Sequence, residues 1–315
     1  MADPGADVVG VILAAGKGTR IYPFSATQPK PVLPVGNRPL LQRQVEMMRD
    51  HGITDIVIVI GYLGYAIVNA LGDGSGLGVR IRYVEQRDTL GLAHAVGNLE
   101  PFIQSPFVLM LGDIYLETEG LGSMIEAVTS GEATGVLASR VEPDPEKIKR
   151  NFAIICDDGG TQVRRVIEKP RHTISDLKGS GLYTFDLPVF DAVRRTPRTA
   201  MRDEYEITDT VQIMIEDGYT ILHSPLVSED INLTVPSDLL EINLLDLERR
   251  GVDHLIGDGA CIAPGAAVEN SVIGAGVVIS EPITIRDSLV FADTKLESGT
   301  DLRRVIVHGE GQIQC

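Results

Sequence analysis

Apolar runs alternating with helix-period segments constrain this chain more than any other feature. Residues 8–13 form a short apolar stretch, and Ile56-Val-Ile-Val-Ile60 and Phe107-Val-Leu-Met-Leu111 repeat it. A strand that is apolar at nearly every position is buried on both faces, the condition of a parallel sheet covered by helical crossovers. The intervening segments supply those crossovers. Leu40, Leu41, Val45 and Met48 share one helical face, opened near Pro39 and stopped at Gly52, and residues 92–99 and 121–128 read as further helices. Residues 80–84 and 135–139 return to strand character. Residues 152–185 are strand-rich, as antiparallel additions would be, and helical segments follow after Pro188 and at 207–216 and 237–248. Residues 1–250 are therefore expected to form a three-layer α/β/α, Rossmann-like mixed sheet.

The first strand empties into Leu13-Ala-Ala-Gly-Lys-Gly-Thr-Arg20, followed by Pro23, Pro29-Lys30-Pro31 and Pro34. Small residues and two glycines, Gly16 and Gly18, let backbone N–H groups approach a phosphate, because no Cβ blocks the way. Arg20 and Lys30 bring positive charge beside that loop. The spacing excludes two better-known phosphate loops. In a Walker A loop the Gly-Lys pair continues into Ser or Thr, whereas Gly16-Lys17 is followed by Gly18, and Val11 occupies the place of the earlier glycine. A dinucleotide fingerprint requires a third glycine where this chain has Ile21. The formal net charge of −16 argues against a nucleic-acid polymer or an anionic membrane surface as partner. Against that background the cations Arg20, Lys30 and Lys169 stand out as places for phosphate.

After Gly251 the character changes. Ile256, Ile262 and Val268 are evenly spaced at hexapeptide intervals, as are Val272 and Val278, Ile283 and Leu289, and Leu296 and Leu302. Small residues such as Gly259, Ala260, Gly265 and Ala266 lie between them. This pattern predicts a short left-handed parallel β-helix over residues 251–315, of about three coils with an aliphatic buried at each repeat. Such a cap makes a homo-oligomer the expected assembly. Cys156, Cys261 and Cys315 are far apart with no Cys-x-x-Cys pair, which reads as a reduced cytoplasmic protein. The scattered histidines do not suggest zinc. No apolar stretch approaches the ~20 residues of a membrane span. Residues 1–7 lack the basic and apolar regions of a signal peptide and read as a short tail.

The whole run from Gly16 to Pro39, with its set order of Gly, Arg, Pro and Lys, resembles the signature of the sugar-1-phosphate nucleotidyltransferases, and later segments match that family in order. The resemblance is greatest to the long-form glucose-1-phosphate thymidylyltransferases. It implies that Leu13, Ala14, Ala15, Gly16, Gly18 and Thr19 hold the nucleotide with Arg20, and that Lys30 stabilises the α-phosphate. Leu111-Gly112-Asp113 matches the motif whose aspartate binds Mg²⁺, although Ile114 stands where Asn is common. Anchoring on Pro236-Ser-Asp-Leu-Leu240 puts Asn232 at the second metal ligand, with Asp230 as the rival. Gln86 would read the base and Gly91 would let the backbone lie against it. Glu168 and Lys169 would hold the sugar hydroxyls and phosphate, beside Ser180 and Gly181. Ala153 stands at a sugar-facing position that is commonly glycine. The implied substrates are small molecules, an NTP (dTTP or UTP) and a sugar-1-phosphate, most simply glucose-1-phosphate. Alternatives are a guanylyltransferase acting on mannose-1-phosphate, an acyltransferase tail using His308, and a catalytically weak regulatory subunit that binds a nucleotide-sugar. Asn232, Ile114 and Ala153 are the features that would fit the last.

Overall fold

The computed structural model describes residues 8–172, 174–200, 202–309 and 311–315, so the tail expected over residues 1–7 lies outside the described residues. The chain divides into two compact units. One holds the residues up to Gly16 together with Gln44–Asp230, and the other holds Lys17–Arg43 together with Ile231–Cys315.

The first unit contains, among the described residues, a nine-stranded mixed sheet. Its parallel centre is the set of apolar runs. Val9–Ala14 pairs in parallel with Asp55–Ile60 on one side and Phe107–Leu111 on the other, and Asp55–Ile60 pairs in parallel with Arg80–Glu85. The long strand Leu177–Phe185 runs antiparallel between Phe107–Leu111 and Gly135–Val141, with Leu182 opposite Met110. Its first residues therefore project past the carboxyl end of Phe107–Leu111. Phe152–Cys156 and Val163–Glu168 extend the sheet antiparallel, and Ile221–Ser224 pairs in parallel with Gly135–Val141. Helices Leu92–Gly97, Val189–Arg195 and Ile207–Glu216 pack together over one buried cluster, where Phe107 stacks on Phe190 at 5.7 Å between ring centroids. This is the three-layer α/β/α fold expected from the sequence.

The second unit contains the left-handed parallel β-helix. His254–Ile256, Ser271–Ile273, Leu289–Val290 and Val305–His308 stack as one face. Cys261–Ile262, Val278–Ile279 and Lys295–Leu296 form a second, and Ala267–Glu269, Thr284–Arg286 and Leu302–Arg303 a third. Successive coils are 17 residues apart, a step repeated by the buried bond from Ser288 N to Ser271 Oγ. The repeat is one residue short of three hexapeptides, and that corrects the reading of the second coil. Its interior positions are Ile273, Ile279 and Ile285, not Val272 and Val278. Because the step from Ile285 to Val290 is short by one residue, the hexapeptide frame slips there. Val272, Leu289 and Ile306 are fully buried outside that interior, on the face against which helix Pro236–Arg250 packs.

Candidate active site

The parallel strands deliver several of the expected residues to one edge. Ala14 is level with Ile60 and Ile60 with Glu85, while Leu13 is level with Leu111. Gly112 N donates to Leu13 O at 2.9 Å, and Gln86 N donates to Ile60 O at 2.8 Å. Leu13, Ala14, Ala15 and Gly16 thus emerge between Asp113, on the neighbouring strand to one side, and Gln86, two strands away on the other, all at the carboxyl ends of the strands, where open α/β sheets bind ligands. Ala14 and Ala15 are buried, Gly16 is exposed and Asp113 is half-buried.

Gln86 is oriented by its own surroundings. Its Nε2 donates to Asp88 O at 3.0 Å and lies 3.4 Å from His94 Nδ1. With its donor side committed in this way, the amide presents its Oε1 as an acceptor. Gly91 lies against the backbone of Tyr205. Its φ is +110°, and a Cβ there would stand 2.4 Å from Tyr205 O. Tyr205 N donates to Leu90 O at 2.7 Å, and Ala93 N donates to Tyr205 O at 3.0 Å. The absence of a Cβ at Gly91 thus makes room for the Tyr205 backbone.

A second group surrounds the projecting end of Leu177–Phe185. Ser180 and Gly181 are buried, and Ser180 Oγ has no hydrogen-bond partner among the described residues. An orphaned buried hydroxyl is costly unless a ligand or water completes it. Glu168 accepts from Arg202 Nη1 at 3.1 Å and from Thr208 Oγ1 at 3.4 Å, and Lys169 Nζ lies 3.5 Å from it. Arg202 also pairs with Glu206 at 2.9 Å. Burial, then the charge of Glu168, raises the carboxyl pKa of both Glu206 and Asp209. Sequence reasoning misses Arg202, which lies in the irregular segment before helix Ile207–Glu216, where no periodicity marks its partners. Ala153 lies inside the sheet. It is fully buried, opposite Ile167 on one side and Lys178 on the other, so its methyl lines no open surface.

Asp230, the rival metal ligand, is engaged elsewhere. Its Oδ1 accepts from Lys178 Nζ at 2.8 Å and from Arg140 Nη1 at 3.4 Å, in a buried network that also holds Glu142. In the second unit, Thr19 and Arg20 are exposed in a single turn, Thr19–Ile21. Gly18 has φ +62°, and the stem of the buried Lys30 lies across it, 2.9 Å from where a Cβ would be. Asn232 is half-buried at the end of strand Val227–Asn232. Among the described residues no cluster of three His, Cys, Asp or Glu could hold a metal. A cation held by the Asp113 carboxylate would take most of its ligands from phosphate and water, the habit of Mg²⁺.

A glycine loop at the edge of a mixed α/β sheet, with a carboxylate at a neighbouring strand exit and a hexapeptide β-helix later in the chain, defines an enzyme of nucleotidyl transfer. Residues 9–230 match the nucleotidyl transferase family and residues 246–314 the GlmU-like C-terminal hexapeptide family, and the chain belongs to the first of these. It is 32% identical to a glucose-1-phosphate thymidylyltransferase of Streptomyces griseus, over 97% of this chain and 90% of that one. It is 34% identical to the UTP–glucose-1-phosphate uridylyltransferase AglF of Haloferax volcanii, over 67% of this chain and 85% of that one. A Bacillus anthracis structure assigned as a glucose-1-phosphate thymidylyltransferase, in complex with sucrose, aligns with a TM-score of 0.68 at 27% identity, covering 76% of this chain and 95% of that one. Among the described residues no helix is long and apolar enough to cross a membrane.

Proposed function

We propose that this protein transfers a nucleotidyl group from dTTP or UTP to glucose-1-phosphate. A phosphate oxygen of the sugar attacks the α-phosphorus in line, the bond to the β-phosphate oxygen breaks, and pyrophosphate leaves. The attacking group is already an anion, so no protein nucleophile is required, and the chain's task is positioning and charge neutralisation. Arg20 and the loop of Leu13, Ala14, Ala15, Gly16, Gly18 and Thr19 hold the β- and γ-phosphates. Lys30 faces the α-phosphate and Lys169 the acceptor phosphate. Glu168 and Ser180 take the sugar hydroxyls. Mg²⁺ held through Asp113 and Asn232 would neutralise charge on the reacting phosphates. Residues 1–250 form the catalytic part of this reading and residues 251–315 its cap, in a cytoplasmic homo-oligomer.

The observation that carries the choice of base is the commitment of Gln86 Nε2 to Asp88 O, which leaves Oε1 to accept. Uracil and thymine offer a ring N3–H to an acceptor, and cytosine offers a lone pair there. A lone pair facing a carbonyl oxygen is an unpaired, repulsive contact. CTP is therefore expected to react at least about 100-fold more slowly than the better of dTTP and UTP. Pyrophosphate release with glucose-1-phosphate and Mg²⁺ across dTTP, UTP, GTP, CTP and ATP tests both statements. Equal rates with CTP would refute the role of Gln86. Silence with every triphosphate and a panel of sugar phosphates, with nucleotide-sugar binding intact, would refute the transferase reading in favour of a regulatory subunit.

A further inference from the structure

We propose that Phe291 and His308 are positioning residues for the phosphate-handling loop, a shelf built into the β-helix on which Phe24 rests. The proposal uses the transferase reading only for what Arg20 and Lys30 do. The β-helix repeat breaks at one corner, a position that recurs at the 17-residue step as Gly257, Gly274, Phe291 and His308. The backbone bonds establish the equivalence: Gly257 N donates to Ile273 O, Gly274 N to Val290 O and Phe291 N to Val307 O, at 2.8, 2.7 and 2.9 Å. In the first two coils the corner has no room for a side chain. A Cβ on Gly257 would stand 2.3 Å from Ala275 N, and one on Gly274 would stand 2.4 Å from Ala292 N. Stacking of the coils thus needs nothing larger than glycine at this corner. Two aromatic rings at the next two turns answer another requirement.

That requirement is Phe24. Its ring stacks on Phe291 with centroids 5.1 Å apart and planes 18° apart. It meets the edge of His308 at 5.0 Å and 75°, and the two shelf rings lie 6.3 Å from each other. Phe24 falls between Arg20 and Lys30 in a loop with little room to adjust. Thr27 N and Gln28 N both return to Phe24 O, at 3.1 and 3.0 Å, and the Lys30 stem crosses Gly18. Holding Phe24 therefore holds both cations. Two more anchors lie downstream. Asn37 Nδ2 donates to Ile273 O at 2.8 Å, and Gly36 N donates to Asn243 Oδ1 at 2.9 Å. The signature loop and the β-helix belong to the same compact unit, Lys17–Arg43 with Ile231–Cys315. Displacing a phosphate-holding group by about an ångström costs about 100-fold in favourable cases, so a shelf under the loop bears on rate as well as on folding.

The test compares the parent with Phe291→Ala, His308→Ala, their double variant and the conservative Phe291→Tyr. Limited trypsin digestion without substrates reports exposure of the bonds after Lys17 and Arg20. Steady-state pyrophosphate release with dTTP and glucose-1-phosphate reports the two KM values separately. The alanine variants are expected to be cut in the loop about two- to tenfold faster, the range for losing an aromatic pair. The KM for dTTP should rise and kcat fall, the KM for glucose-1-phosphate should stay unchanged, and Phe291→Tyr should restore both. Parent-like kinetics with the loop still protected would overturn the proposal. So would a uniform loss of protection along the chain with both KM values moving together. If the parent releases no pyrophosphate with any triphosphate, the transferase reading fails, and the trypsin arm alone still decides the shelf.

Discussion

Replacing Asp113 with alanine is expected to lower kcat/KM for pyrophosphate release by about 10³-fold, the scale of losing one preorganised electrostatic contact in a phosphoryl-transfer site. The reason is a shortage of positive charge. A nucleoside triphosphate brings about four negative charges and a sugar phosphate about two, and unit charges 4 Å apart at an effective dielectric of 20 interact by about 4 kcal/mol. In the proposed reading the cations available to these phosphates are Arg20, Lys30 and Lys169, in a chain whose net charge is −16. Three cations leave part of that repulsion standing, and a divalent cation at the exit of Phe107–Leu111 would offset most of what remains. Asp113 is half-buried and its side chain takes part in an interaction within the fold, so the melting temperature is read beside the rate to separate a folding loss from the loss of the metal site. Asp113→Asn keeps the shape and loses the charge. It should retain more activity than alanine and need more Mg²⁺ for half-maximal rate. An alanine variant within tenfold of the parent, or one whose melting temperature collapses, would refute the assignment.

The parallel centre of the sheet was legible in the sequence because a short, uninterrupted apolar run bounded by turn residues suits a strand buried on both faces and little else. Ile56–Val59 are buried on both faces, and the strand exits then place Gly16, Gln86 and Asp113 along one edge by topology alone. The β-helix was legible as a class, but its frame was not. A missing residue in each turn moves the interior from Val272 to Ile273, and hexapeptide spacing cannot show which corner is short. Three features lay beyond sequence reasoning for physical reasons. Gly91 signals a close approach, and its neighbour there is Tyr205, more than a hundred residues away in the chain. Phe291 and His308 look like interruptions of a repeat until Phe24 is seen against them. Lys178 would ordinarily be assigned to the surface, since an unpaired lysine is almost never fully buried, and its carboxylate partners come from distant parts of the chain.

Lys178→Ala is expected to cost about 3–5 kcal/mol of stability. Lys178, Asp230 and Glu142 are each no more than 3% exposed by side chain, with Lys178 Nζ 2.8 Å from Asp230 Oδ1 and 3.8 Å from Glu142 Oε2. Truncating the lysine strands two buried carboxylates, of which Asp230 keeps a cation, Arg140 at 3.4 Å. The penalty is the uncompensated charge left behind and not the worth of the pair itself. It follows that neutralising the whole group should be far milder than removing one member. A Lys178→Met, Asp230→Asn, Glu142→Gln triple variant should recover most of the loss, because replacing a buried ion group by uncharged isosteres is often close to neutral. Urea denaturation of parent, single and triple variants checks this. A Lys178→Ala loss below about 1 kcal/mol, the value of an exposed pair, would show that water reaches the network and screens it. The consequence extends to the site through covalent continuity. Lys178 is two residues from Ser180 in strand Leu177–Phe185, and Asp230 is two residues from Asn232 in strand Val227–Asn232. Loss of the ion group that ties strand Leu177–Phe185 should therefore also weaken binding of the sugar phosphate, with the KM for glucose-1-phosphate rising in the single variant and returning in the triple.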